Sequence, residues 1–146
     1  MNKVISALFL VLLLASCKTD SNLRKKIPGW YSYAETLENG ALKGNITYYK
    51  NGEMKVDATF SDNVTVPTDG ITITIIGTWS VEDGYLKEKV NKVTSKPKFI
   101  ADLILKALKK EEEKNSKGSE IIYVNKEELQ LKTAEGELIT YLRIKK

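Results

Sequence analysis

From residue 27 onward turn signals recur at short intervals: Glu38-Asn39-Gly40, Lys50-Asn51-Gly52, Glu82-Asp83-Gly84 and Ala134-Glu135-Gly136. They divide the chain into strand-sized pieces. In Met54 to Phe60, apolar Met54, Val56, Ala58 and Phe60 alternate with Lys55, Asp57 and Thr59, the period-two pattern of a half-buried strand. Ile71 to Ile75 alternates isoleucine with threonine, both β-branched. The clearest hairpin is Ile46 to Val56, because Asn51-Gly52 suits the positive φ values of a type I′ turn. Further strand-like runs bring the count to about eight, depending on whether 71–81 is one strand or a bent pair. Strands joined in succession by tight turns form an antiparallel meander, and closing it hides one face and removes the exposed edges. The expected fold is therefore mainly β, an up-and-down barrel of about eight strands; an open half-barrel or a sandwich is the alternative.

One segment departs from that rhythm. Phe99, Ile100, Leu103, Ile104, Ala107 and Leu108 recur at helical spacing, with Pro97 near the start and Gly118 past the end, which predicts an amphipathic helix over 97–113 before the last three strands. Its lysines lie at the amino end and Glu111 to Glu113 at the carboxyl end, against the helix dipole, so packing of the apolar stripe has to hold it. Such a helix could pack on the barrel, cover its mouth or lie on a membrane.

At 146 residues the chain suits one compact domain. Its net charge of +4 comes from lysines interleaved with nearly as many acids, so no basic stripe argues for nucleic acid. Histidine is absent and Cys17 is the single cysteine. A Ser-His-Asp arrangement and zinc sites built on Cys and His are thereby excluded. Carboxylate chemistry would need two acids converging in a cleft, and the sequence singles out no such pair, so neither an enzyme nor a cofactor is expected. Asn45-Ile46-Thr47 and Asn63-Val64-Thr65 match the N-glycosylation pattern, which such short motifs meet by chance.

The amino terminus reads Met-Asn-Lys, then 12 mostly apolar residues from Val4 to Ala15, then Ser16-Cys17. This is the order of a secretory signal peptide. As a helix the apolar run would extend ~18 Å, too short for a hydrocarbon core of ~30 Å. Leu14-Ala15-Ser16-Cys17 resembles the lipobox of bacterial lipoproteins. That resemblance implies a signal peptide over 1–16, cleavage before Cys17, and acyl chains on Cys17 that hold the protein to a membrane. The plainer alternative is a soluble secreted protein whose signal happens to contain a cysteine. Residues 17–27 are then the lipidated terminus and a polar tether, whose Lys18, Arg24, Lys25 and Lys26 either lie on anionic headgroups or keep the tether solvated. Lys18 stands where many enterobacterial lipoproteins carry an inner-membrane aspartate, so by analogy the expected location is the cell envelope, outer membrane before inner.

The remaining domain, 28–146, resembles the small bacterial lipocalin-like lipoproteins. The resemblance rests on Gly29-Trp30, the Asn51-Gly52 hairpin, the unit Gly77-Thr78-Trp79 to Leu86, and a carboxyl third that looks like that family's last three strands and ends at Arg143. Two features depart from it. Gly29-Trp30 lacks the residue between Gly and Trp in the lipocalin motif, and the helix precedes the last three strands instead of following the final one. The resemblance implies a barrel with Trp30 closing one end and Arg143 stacked over its face. It also implies a small hydrophobic or amphiphilic ligand, with Trp30, Tyr48, Met54, Phe60, Ile73, Trp79 and Tyr123 as lining candidates; core packing is the competing role for both tryptophans. The rival expectation is an envelope inhibitor or immunity-type lipoprotein that binds a protein partner through its loops. Barrel closure leaves no edge in need of a partner, so a monomer is expected.

Overall fold

The computed structural model describes residues 20–37, 40–62 and 70–145. The apolar amino-terminal run, Cys17, most of the first turn signal and the Asn63 motif lie outside these. Residues 20–26 form helix α1. Strands β1 (Gly29–Leu37), β2 (Gly40–Tyr48), β3 (Glu53–Asp62), β4 (Ile71–Glu82) and β5 (Tyr85–Lys96) follow, then helix α2 (Ile100–Lys114) and strands β6 (Ser119–Val124), β7 (Glu128–Lys132) and β8 (Leu138–Arg143). The strands pair in sequence order and β8 returns to β1, closing the antiparallel barrel that the hairpin rhythm predicts. The 71–81 stretch is one strand, with its register against β5 shifting between Ile76 and Gly77.

One end of the barrel is filled. Tyr31, Ile46, Tyr48, Met54, Trp79, Leu86, Leu129 and Leu131 pack together there, and Ile27 closes the cluster from beneath, fully buried. The segment that reads as a tether supplies this closure. Leu23 and Ile27 stand one helical turn apart and both pack into the core, while the Asp20 carboxylate accepts the N–H groups of Asp83 and Gly84 at the β4–β5 turn, each at 2.8 Å. Two apolar side chains at i, i+4 dock an otherwise polar segment.

Long and short strands meet at two junctions, each with only two register pairs. At the first, Tyr31 and Ser32 of β1 face Arg143 and Leu142 of β8. The Arg143 guanidinium donates to the carbonyls of Asn125 (2.8 Å), Pro28 (3.0 Å) and Lys26. Gly29 leaves room for it, since a Cβ there would stand 2.5 Å from a guanidinium nitrogen. Arg143 lies over the ring of Tyr31, 4.8 Å from its centre. Tyr31 is the register partner of Arg143 and stands next in sequence to Trp30, the ring expected to carry this stack. Trp30 points to the outer wall, 39% exposed.

At the second junction Tyr85 and Leu86 of β5 pair with Glu120 and Ser119 of β6. The rest of β5 has no β6 neighbour, and α2 lies along it instead. Glu112 of α2 accepts the N–H of Val90, and the Lys109 ammonium donates to the Val90 carbonyl at 2.6 Å. Two helix side chains thereby supply what a neighbouring strand's backbone would. The helix begins three residues later than predicted. It turns Ile104, Leu105 and Leu108 toward the barrel to half-burial, leaving Phe99 and Leu103 73% and 65% exposed. The polar bonds to Val90 fix this rotation, so part of the predicted apolar stripe faces solvent.

Candidate functional site

Register defines the inner wall. Met54 faces Gly77, Val56 faces Ile75, Ala58 faces Ile73 and Phe60 faces Ile71, so these side chains share the inward face of β3 and β4. Met54 belongs to the filled end. Beyond it Val56, Ala58, Phe60, Ile71, Ile73 and Ile75 are only half-buried, an apolar inner surface that no described residue fully covers.

Tyr48 lies where the filled end meets this wall. Its ring packs edge-on against Tyr31 at 5.7 Å and against Trp79 at 5.8 Å, and its hydroxyl donates to Glu88. Trp79 in turn donates from its indole nitrogen to the Tyr49 carbonyl at 2.9 Å. Tyr48 belongs to β2 and Glu88 to β5, so their bond crosses the barrel interior past β3 and β4. A buried phenol needs an acceptor, and Glu88 provides it.

Glu88 is the unusual member. It is the register partner of Trp79 and alternates with Leu86 and Val90, which are buried, so it faces inward. Its side chain is nonetheless exposed, because a cleft of ≈ 460 Å³ opens beside it between β5 and the carboxyl half of α2. Leu86, Val90, Leu108, Glu112 and Ser119 also line that cleft. Removal from bulk water pushes the Glu88 carboxyl above its usual range of 4.5, opposed by the Tyr48 hydrogen bond. Burial beside Glu88 holds Tyr48 well above 10.0, and burial raises Tyr31 to about 12 against the pull of Arg143. Near neutrality Tyr48 is therefore a donor.

The seven lining candidates separate into three groups. Tyr48, Met54 and Trp79 come together in the filled end, and Phe60 and Ile73 belong to the half-buried wall. Trp30 and Tyr123 reach neither. Trp30 is turned outward by strand alternation, and Tyr123, after an irregularity in the β6–β7 register, is 37% exposed with its hydroxyl on Glu128. The sequence reading missed Tyr31, Glu88, Lys109 and Glu112. A signal for Glu88 existed, since Leu86, Glu88 and Val90 share one parity and mark an inward carboxylate.

A broader depression of ≈ 750 Å³ involves the outer face of β1 to β4. There Ser32, Asn45, Asp57 and Thr74 follow one another in register, a polar surface unlike the apolar wall inside. Among the described residues no group of three or more acidic or cysteine side chains gathers to hold a metal, and no helix is long and apolar enough to cross a membrane. In comparisons with known proteins, no protein-family model and no curated sequence matches this chain.

Proposed function

We propose that this chain is a lipid-anchored, non-enzymatic binding protein of the bacterial cell envelope whose barrel receives one small hydrophobic or amphiphilic ligand. The observation that carries the reading is the half-buried apolar inner wall of Val56, Ala58, Phe60, Ile71, Ile73 and Ile75. Inward apolar side chains left uncovered are an unsatisfied surface, and an alkyl or ring system would remove water from it at roughly 25 cal/mol per Å². The membrane attachment rests on the Leu14 to Cys17 sequence, and Lys18 favours the outer membrane over the inner.

The test is native mass spectrometry of the protein extracted from bacterial membranes, with co-purifying lipids identified. A stoichiometric small molecule, lost when Ala58→Trp fills the wall, supports the reading. A ligand-free spectrum from both chains rejects it. Metabolic labelling with a fatty acid tests the anchor separately, since Cys17→Ser should abolish incorporation. A second reading has its own observation. Phe99, at the N-cap of α2, and Leu103 within it stand exposed, a surface that an inhibitor or immunity-type lipoprotein would offer to a protein partner. Stable capture of one such protein at equal stoichiometry, lost with Leu103→Glu, would favour it.

A further inference from the structure

We infer that Glu88 selects the ligand's head group, and that the ligand is an amphiphile carrying a primary ammonium group, seated in the cleft between β5 and α2. This rests on the chain being a ligand carrier and adds both a head-group chemistry and a second seat, since the cleft shares no lining residue with the β3–β4 wall and does not depend on Ala58.

Three observations converge. The first is charge without a counter-ion. Glu88 faces the inside of the barrel, yet among the described residues no lysine or arginine pairs with it. Lys87 and Lys89 line the same cleft, yet neither forms an ion pair with Glu88, Lys87 being held by Glu82 at 2.7 Å, and Lys109 is engaged with Val90 and Glu112. A carboxylate partly withdrawn from water is costly unless compensated, and Tyr48 donates only one hydrogen bond, to one carboxylate oxygen. Had Tyr48 needed nothing more than an acceptor, a neutral amide would have served without removing a charge from water. The missing partner is a cation.

The second observation is access. Glu88 lines a cleft of ≈ 460 Å³, within the span of about 300 to 1,000 Å³ usual for small-molecule sites. The third is the company it keeps. Leu86, Val90, Leu108 and Trp79 line the same cleft and suit an alkyl chain. Glu88, Glu111 and Glu112 outnumber Lys87 and Lys89 along the cleft, so with its apolar walls it fits a cationic head on an apolar tail better than a fatty acid.

The decisive experiment is a competition among decylamine, decanol, decanoate and butylamine for the acylated protein in lipid nanodiscs, read by native mass spectrometry against empty discs. Decylamine should be retained about tenfold over decanol and further over decanoate, the discrimination expected of a hydrogen bond between charged groups. Butylamine, a cation without a tail, should be retained weakly. Glu88→Gln keeps an acceptor for Tyr48 and should bring decylamine and decanol to parity, whereas Glu113→Gln, which removes one charge elsewhere on α2, should preserve the preference. Equal retention of decylamine, decanol and decanoate by the native chain overturns the inference and leaves the carrier reading standing. A preference lost equally in both variants also overturns it, since only the general field of the protein would then be at work. Retention of no alkyl probe above empty discs overturns both. Since the native chain alone ranks the four probes, the outcome does not depend on the variants folding.

Discussion

The two junctions that close this barrel have the same number of backbone pairs and opposite designs. Between β1 and β8 a single guanidinium donates to three carbonyls and lies over the Tyr31 ring, so one rigid planar group ties Lys26, Pro28 and Asn125 together. Between β5 and β6 the free edge is held by Lys109 and Glu112, long flexible side chains on a helix none of whose residues is fully buried. A planar fork loses little freedom for each bond it makes, while each lysine or glutamate contact costs rotamer entropy. The first junction is a lock. The second is a strap, and the cleft with Glu88 lies under the strap.

The largest disruption is expected at the start of β6. Gly118 adopts φ +83°, and a Cβ there would stand 2.2 Å from the Leu86 carbonyl, the backbone that pairs with Ser119. Gly118→Ala combines a left-handed conformation with a backbone clash and should destabilise by about 3 kcal/mol in urea unfolding. A loss under about 1 kcal/mol would mean that the β5–β6 junction yields freely and is even looser than a strap.

Arg143→Met comes next. It leaves three carbonyls without their donor, two of them at exposed bonds where water can substitute, so about 2 kcal/mol is expected. Arg143→Lys should recover little of this, since a point charge cannot reach three acceptors at once. Full recovery by lysine would reduce the lock to simple charge. Lys109→Met, at the other junction, should cost only about 0.5 kcal/mol because the ammonium is partly solvated. Its expected signature is local, with faster hydrogen exchange at the Val90 amide and unchanged protection at Tyr31. Equal acceleration at both amides would erase the distinction between lock and strap.

Much of this arrangement was legible in the residues. Asn51-Gly52 and the alternation through β3 and β4 specified the meander, because turn chemistry and period-two burial are local properties. What failed was parity and docking. Gly29-Trp30 marks where β1 begins, yet the choice between Trp30 and Tyr31 as the inward ring depends on register with β8, the last strand of the chain. The helix 20–26 was hidden because two apolar side chains among charges look like tether until a core exists to receive them. Lys109 and Glu112 were invisible for a similar reason: the free edge that they serve arises only when β6 pairs with the first two residues of β5 and no more.

The alkaline limb of stability sharpens the comparison from the side of the lock. Tyr31 keeps its proton in the folded barrel to about 12, whereas an unfolded tyrosine loses it near 10.0. Between those values the unfolded chain holds fewer protons, so stability should fall as pH rises through the window. Tyr31→Phe should weaken that slope while giving up the hydrogen bond to Ile27. An unchanged slope would mean that the hydroxyl titrates freely in the native protein.

The smallest effect belongs to the strap side and has a slope of the same sign at acid pH. Glu88 carries a carboxyl raised above 4.5 in the fold, so below that value both folded and unfolded forms are protonated and no penalty exists. As pH rises past 4.5 the unfolded chain ionises first, and stability declines until the folded carboxyl has also lost its proton, after which the curve is level. The cleft admits water, which screens the penalty and keeps the decline shallow. Glu88→Gln removes the titration, so urea unfolding of the two chains should coincide at low pH and separate above 4.5, the variant becoming the more stable. A native chain that gains stability through this range relative to Glu88→Gln would mean that the carboxylate is already compensated inside the barrel, and with a counter-ion in place Glu88 would have no need of a cationic ligand.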